Sequence, residues 1–270
     1  MRLALFTLES ALSAEAVARF LREHGEAVVL IGRSRPFRPA AGGALRQGWR
    51  HLRRSGPRLL PYLWANYALP QGLGRLRRLA GGRGTLAGLA AARGLPVHDL
   101  DDVNDAATAA ALRAARPDLL VSLHFDQIFT AATLALAPLG GINLHPSLLP
   151  RHRGPVPAIW ALAEPEPAFG VTIHRLVPRI DAGAILAQAA VPLPPGTTAS
   201  AAARALHLAG VPLLSGVLAG LAAGACPGQG RPLLPYCPFP PPALLRGLAA
   251  RGRRLVDAAD LRSGLACRIG

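Results

Sequence analysis

Asn143 and His145 sit two residues apart in Gly141-Ile142-Asn143-Leu144-His145-Pro146-Ser147-Leu148-Leu149-Pro150, which continues as Arg151-His152-Arg153-Gly154. A strand repeats every two residues, so the amide and the imidazole face one side while Ile142 and Leu144 face the other. The prolines and Gly154 then end the strand and open a loop. An amide donor beside a titratable ring at a strand end suits two tasks, stabilising an oxyanion and moving a proton. Taken alone, Asn-x-His also describes a hydrogen-bonded core histidine, which is the commoner case.

A second segment supplies what the pair lacks. Residues 170–188 hold a β-rich run, Val171 to Val177, then a loop carrying Asp181 and Gly183, then an apolar run from Ala184 to Val191. A carboxylate on a glycine-containing loop between two strands can reach a neighbouring strand end. Asn143, His145 and Asp181 are therefore the candidate catalytic residues.

Together the two segments resemble the formyltransferase family that uses 10-formyltetrahydrofolate. The matching residues are Asn143, His145, Ser147-Leu148-Leu149-Pro150, Arg153-Gly154, Thr172, His174, Asp181, Gly183 and Ile185. The agreement covers about fifty residues closely and most of residues 1–225 more loosely. The resemblance implies an α/β, Rossmann-like formyltransferase fold: a mostly parallel central sheet flanked by helices, with a helical insertion and a short C-terminal tail. It assigns Asn143 and His145 as oxyanion donors and Asp181 as the group that tunes His145 and relays protons. A nearby carboxylate raises a histidine pKa, which would favour the imidazolium as the donor.

The resemblance also implies a pterin slot between Phe125–Phe129 and the loop Pro178–Gly183, with Phe125, Gln127, Ile128, Phe129, Ile180 and Gly183 as cosubstrate contacts. Ile128 and Phe129 read equally well as core. Ser147 is expected to support the His145 strand end or to form a turn, and Arg153 to meet an acceptor's anionic group or to sit in solvent. His174 is read as structural, and the sequence shows no partner for His124 or His152. The expected activity is formyl transfer to the amine of a small molecule, sugar nucleotide, peptide or lipid head group, with no metal. The alternatives are a formyltetrahydrofolate hydrolase, a non-catalytic binding or regulatory relative, and a membrane-surface or RNA-binding relative. Hydrolases of this kind carry a regulatory domain ahead of the catalytic one, whereas here the first strand opens the chain, so amine transfer is preferred.

Composition narrows the class. The chain has 270 residues, a formal charge of +15, and 30 basic residues of which every one is Arg. With Ala, Gly and Pro abundant throughout, much of this charge reads as a biased genome, and nucleic acid is not the expected partner. Cys226, Cys237 and Cys267 match no zinc spacing, and their odd number argues against a disulfide framework, so a reducing cytoplasm is the simplest setting. Arg2–Thr7 reads as a strand rather than a leader, and no run of about twenty apolar residues stands out as a bilayer span.

The elements expected to position the site alternate along residues 1–225. Strand Leu3–Phe6, helix Ser13–His24 ended by Gly25, and strand Ala27–Ile31 open the chain. No Gly-x-Gly-x-x-Gly follows the first strand, only Thr7-Leu8-Glu9-Ser10, which counts against a phosphate cradle and against a glycinamide-ribonucleotide transformylase. Residues 33–83 mix Arg with Trp49, Tyr62, Trp64, Tyr67 and many Leu. They read as a helical insertion packing its apolar face on the domain, the sharper alternative being peripheral contact with a membrane surface or a phosphate-bearing partner. A helix Thr85–Arg93, a strand near Leu95–His98, a helix Asn104–Ala115 with Asn104 as N-cap, and a strand Leu119–Leu123 follow. Helix Thr198–Ala223 is expected to break or kink at Gly210 and Pro212. The extension 226–270 is Pro-rich and then basic, with a short helix near Ala243–Arg254. It is too short for the β-barrel that the initiator-tRNA formyltransferase pattern would add.

Overall fold

Seven strands form one sheet in the order β3-β2-β1-β4-β5-β6-β7 in the computed structural model, which describes residues 1–35, 42–225 and 227–269. Strands β1 (Leu3–Leu8), β2 (Val28–Ser34), β3 (Val97–Leu100), β4 (Leu119–Leu123) and β5 (Gly141–His145) are parallel. Strands β6 (Gly170–Arg175) and β7 (Ile185–Ala190) complete the sheet antiparallel. Crossovers between parallel strands run through helices α1 (Ala14–His24), α5 (Thr85–Ala92), α6 (Ala106–Ala115) and α7 (Ala131–Leu134). The chain steps outward from β1 to β2 and β3, then returns to β4 on the other side of β1. Ligands bind beyond the carboxyl ends of such strands, near the reversal of order.

The inner strands read as continuous apolar runs because both sheet faces are covered. One face carries Leu5, Val121, Ile142, Leu144 and Val171 against α1, α5 and α9 (Ala199–Ala222). The other carries Ala4, Phe6, Leu120 and Phe129 with Leu112 from α6. Asp105, not Asn104, caps α6 by accepting from the Thr108 N–H at 2.6 Å. Asn104 instead ties Thr130 and the Ile128 carbonyl to its own turn.

Helix α9 corrects two expectations. It is long and apolar enough to cross a membrane by composition, yet it lies against β5, β6 and β7 and buries Leu206, Val211, Leu214, Val217 and Leu218. Each such side chain contributes roughly 1.5–3 kcal/mol through burial. The helix also runs unbroken through Pro212. Gly210 serves close packing, since a Cβ there would stand 2.7 Å from Leu144 and 2.8 Å from Val171.

The insertion is helical. Helix α2 (Gly43–Ser55) leads through a 3-10 turn, Pro57–Leu59, into α3 (Leu60–Leu63), a π-helical turn Trp64–Ala68 and α4 (Leu69–Leu79), which run on as one rod. Residues 36–41 lie outside the described residues. The expected start at Arg33 moves, because that residue still belongs to β2 and pairs with Glu9 and Asp99. Leu59 and Tyr62 join α8 (Pro157–Ala163), α9 and α10 (Pro242–Ala250) in a separate apolar cluster. A last helix, α11 (Ala258–Ala266), follows, with Asp257 and Asp260 forming a capping box. Cys237 and Cys267 are free thiols, and Cys226 lies outside the described residues.

Candidate active site

Strands β5 and β6 set the first part of the site. Asn143 pairs directly across the sheet with His174, and His145 with Thr172, so the two polar side chains of β5 share a face with His174. His174 donates from Nδ1 to the Arg175 carbonyl at 2.8 Å, which leaves Nε2 as an acceptor. Asn143 Nδ2 donates to that nitrogen at 3.1 Å. The amide is thus oriented, with a second N–H remaining on Nδ2. His174 therefore positions Asn143, a role that its expected structural reading did not include.

The β6–β7 loop brings the carboxylate. Asp181 adopts a left-handed conformation with φ 45°, an uncommon state that costs of order 1–3 kcal/mol and clusters at functional sites. Its Oδ1 lies 3.5 Å from both His145 Nδ1 and His174 Nε2, and its Oδ2 accepts the Gly154 N–H at 2.8 Å. Gly183 permits this turn, because a Cβ there would meet the Arg175 carbonyl oxygen at 1.9 Å. Burial opposes ionisation of Asp181. The facing His145 ring and the Gly154 N–H outweigh it and hold the carboxyl below its ordinary range.

His145 departs from expectation. Its Nε2 donates to the His152 carbonyl at 3.2 Å, and its Nδ1 stands 3.5 Å from Asp181 Oδ1. Burial depresses its pKa, and the opposing pull of Asp181 does not restore it. Nε2 is therefore engaged within the protein rather than presented as a second oxyanion donor.

These groups line a cavity of about 240 Å³ at the carboxyl ends of β4 and β5. Phe125, Gln127, Ile128, Phe129 and Ile180 line it, whereas Gly183, expected beside them, does not. Ile128 is 48% exposed there, whereas Phe129 is buried with its ring 5.0 Å from that of Phe6 and fulfils the core reading as well. The Gln127 side chain is held by Val103 N–H and Ser34 and shapes the loop. Ser147 and Arg153 are placed otherwise than an acceptor-binding role requires. Buried Ser147 donates to the Arg151 carbonyl at 2.9 Å, making the turn. Buried Arg153 donates from its guanidinium to the carbonyls of Ile180 and Leu234.

Other lining residues went unassigned in the sequence. Tyr62 comes from the insertion and Tyr236 from the tail. Tyr67 meets His124 Nε2 at 3.2 Å, while Ser10 and Ser13 hold its Nδ1. His207 donates from Nδ1 to the Ala203 carbonyl, and burial lowers its pKa to about 4. His152 finds Glu164 at 2.9 Å. The aromatic content of residues 33–83 was the one available signal, and it could not say which rings turn inward. Among the described residues, no group of three or more His, Cys, Asp or Glu side chains is arranged to hold a metal ion.

The architecture is shared with solved formyl-transferring enzymes. A sugar N-formyltransferase from Shewanella sp FDAARGOS_354 superposes with a TM-score of 0.54 at 19% identity, over 88% of this chain and 77% of that one. Glycinamide ribonucleotide transformylase 1 from Symbiobacterium toebii gives a TM-score of 0.56 at 19% identity, over 87% and 94%. The sugar 3N-formyl transferase WlaRD, studied with dTDP and 5-N-formyl-THF, gives 0.54 at 14% identity, over 88% and 69%. The fold these comparisons share is Rossmann-like, with a mixed, mostly parallel sheet. Residues 93–218, which carry Asn143, His145, His174 and Asp181, match the family model described as Formyl transferase. That segment, a little under half of the chain, is similar to the formyltransferase family.

Proposed function

We propose that the protein moves a formyl group from 10-formyltetrahydrofolate to the amine of an acceptor, which is a small molecule, sugar nucleotide, peptide or lipid head group. The observation that carries this reading is the meeting of Asn143, His145 and Asp181 at one cavity wall. The folate donor is supported by the 5-N-formyl-THF present with WlaRD. In the slot, Phe125, Ile128 and Ile180 form the walls around the pterin.

Attack by a neutral amine on the formyl carbon forms a C–N bond and turns the carbonyl oxygen into an oxyanion. The free N–H of Asn143 Nδ2 is the donor for that oxyanion, with its direction set by His174. A group of this kind is worth on the order of 10²–10³ in turnover. The attacking nitrogen must lose a proton, and the leaving folate nitrogen must gain one as its C–N bond breaks. His145 Nδ1, neutral and facing Asp181, takes the first proton as an imidazolium stabilised by that carboxylate. It returns the proton to the leaving nitrogen, with water bridging the distance.

The test is incubation with 10-formyltetrahydrofolate and a panel of amines, following tetrahydrofolate release and gain of one formyl group by mass. Acceptor-dependent release is expected. Equal release without any amine would identify a hydrolase, and no release with any member of a broad panel would count against formyl transfer from this donor.

A further inference from the structure

The insertion carries a surface that formyl transfer does not use. Between Glu26 and Asp99 the sequence holds 13 arginines and no Asp or Glu. Arg33, Arg35, Arg77 and Arg93 are bound to neighbouring groups. Arg53, Arg54, Arg75 and Arg78 are exposed, and none forms a salt bridge among the described residues.

The same surface is apolar where a solvated helix would be polar. The rod Leu60–Leu79 buries Tyr62, Ala65, Asn66, Pro70 and Gly74. Trp64, Ala68, Gly72, Leu76 and Leu79 follow at three- or four-residue steps and so share the opposite face. Trp64 is 51%, Leu76 64% and Leu79 78% exposed. Helix α2, packed on the start of this rod, exposes Trp49 at 56%, with the Arg53 guanidinium 4.6 Å above its ring.

We propose that this insertion docks on an anionic lipid surface. Trp49, Trp64, Leu76 and Leu79 enter the headgroup boundary, while the exposed arginines remain at the level of the lipid phosphates. Tryptophan suits that boundary, and long basic side chains snorkel beside buried apolar ones. Charge decides between occupants. A second copy would bring two carboxylate-free arginine fields together. Nucleic acid would match the arginines but leave Leu76 and Leu79 in water.

The experiment is co-sedimentation of the full chain with vesicles of phosphatidylcholine alone or with phosphatidylglycerol added, at rising salt. Binding is expected only with the anionic lipid and should weaken as salt rises. Arg75→Glu/Arg78→Glu should lower partitioning on the order of tenfold or more, Arg75→Lys/Arg78→Lys should restore it, and Leu76→Ser/Leu79→Ser should weaken it at low salt. Both residue pairs are exposed, so circular dichroism of all three variants should be unchanged. Equal binding to both vesicle types, no vesicle binding, or retention of a single-stranded RNA with no loss in Leu76→Ser/Leu79→Ser would each overturn the proposal. So would self-association in sedimentation velocity that the leucine pair abolishes while vesicle binding persists.

Discussion

Arg153 donates through Nε and Nη2 to the carbonyl oxygen of Ile180, the residue immediately before Asp181, at 3.2 and 2.5 Å. Its Nη1 reaches the Leu234 carbonyl at 2.8 Å, and its own carbonyl accepts the Cys237 N–H. One buried side chain therefore ties the carboxylate loop to the tail that crosses the site. Gly154, next in sequence, adds the N–H to Asp181. The tail packs so closely that a Cβ on Gly154 would meet the Cys237 carbonyl at 2.1 Å.

Arg153→Ala should both loosen the site and destabilise the fold. It leaves the Ile180 and Leu234 carbonyls without their charged donor, at about 3 kcal/mol. That predicts a melting temperature lower by about 6 °C or more and a turnover number reduced at least about tenfold as Asp181 loses its support. Arg153→Lys cannot fork between Ile180 and Leu234 and should recover only part of either loss. Scanning fluorimetry and steady-state turnover on the same preparations measure both effects. Unchanged values would show that the strap is dispensable.

Asn143→Ala and Asp181→Ala should each lower turnover by on the order of 10²–10³ while the fold persists. His174→Phe should act through Asn143: turnover falls with a smaller change in KM, because the amide loses the acceptor that fixes it. If the amide were oriented by the strand alone, His174→Phe would keep near-normal turnover.

How much of this was legible in the sequence follows from the range of each signal. Strand β4 and the apolar face of Ile142 and Leu144 follow from local periodicity, and the meeting of Asn143, His145 and Asp181 follows from the motifs that carry the family resemblance. The end of β2 differs because Arg33 and Ser34 look like loop, yet Glu9 and Asp126 hold them in the sheet. Gly210 and Pro212 looked like a break because the helix pattern does not reveal that Leu144 and Val171 approach the glycine. The surroundings of His145 are hidden from the sequence for a related reason. A nearby carboxylate is readable from a motif, but the burial that outweighs it and the His152 carbonyl that takes Nε2 are products of the whole fold.

Asp260 locks the C-terminal helix to α9. It is buried, forms a salt bridge with Arg204, accepts from Thr198 Oγ1 at 2.8 Å and from the Asp257 N–H at 2.9 Å. Asp260→Ala leaves Arg204 uncompensated and should cost about 3–5 kcal/mol. Urea unfolding should show a lower midpoint. A change of only a few tenths of a kcal/mol would mean that α11 contributes little to the cooperative unit.

The last prediction concerns acid. His207 has a pKa lowered by burial from the ordinary 6.5 to about 4, and burial lowers those of His124 and His145 in the same direction. Between these limits the unfolded chain binds a proton that the folded chain refuses. Stability is therefore complete above pH 6.5 and declines as pH falls towards about 4, with His207 alone accounting for about 3 kcal/mol at the lower end. His207→Phe removes that proton from the unfolded state and should flatten the decline without abolishing it, since His124 and His145 still titrate. Urea unfolding of both proteins at several pH values across this window measures the two slopes. Parallel curves would mean that the His207 ring gains a proton in the folded state, and so that water reaches its Nε2.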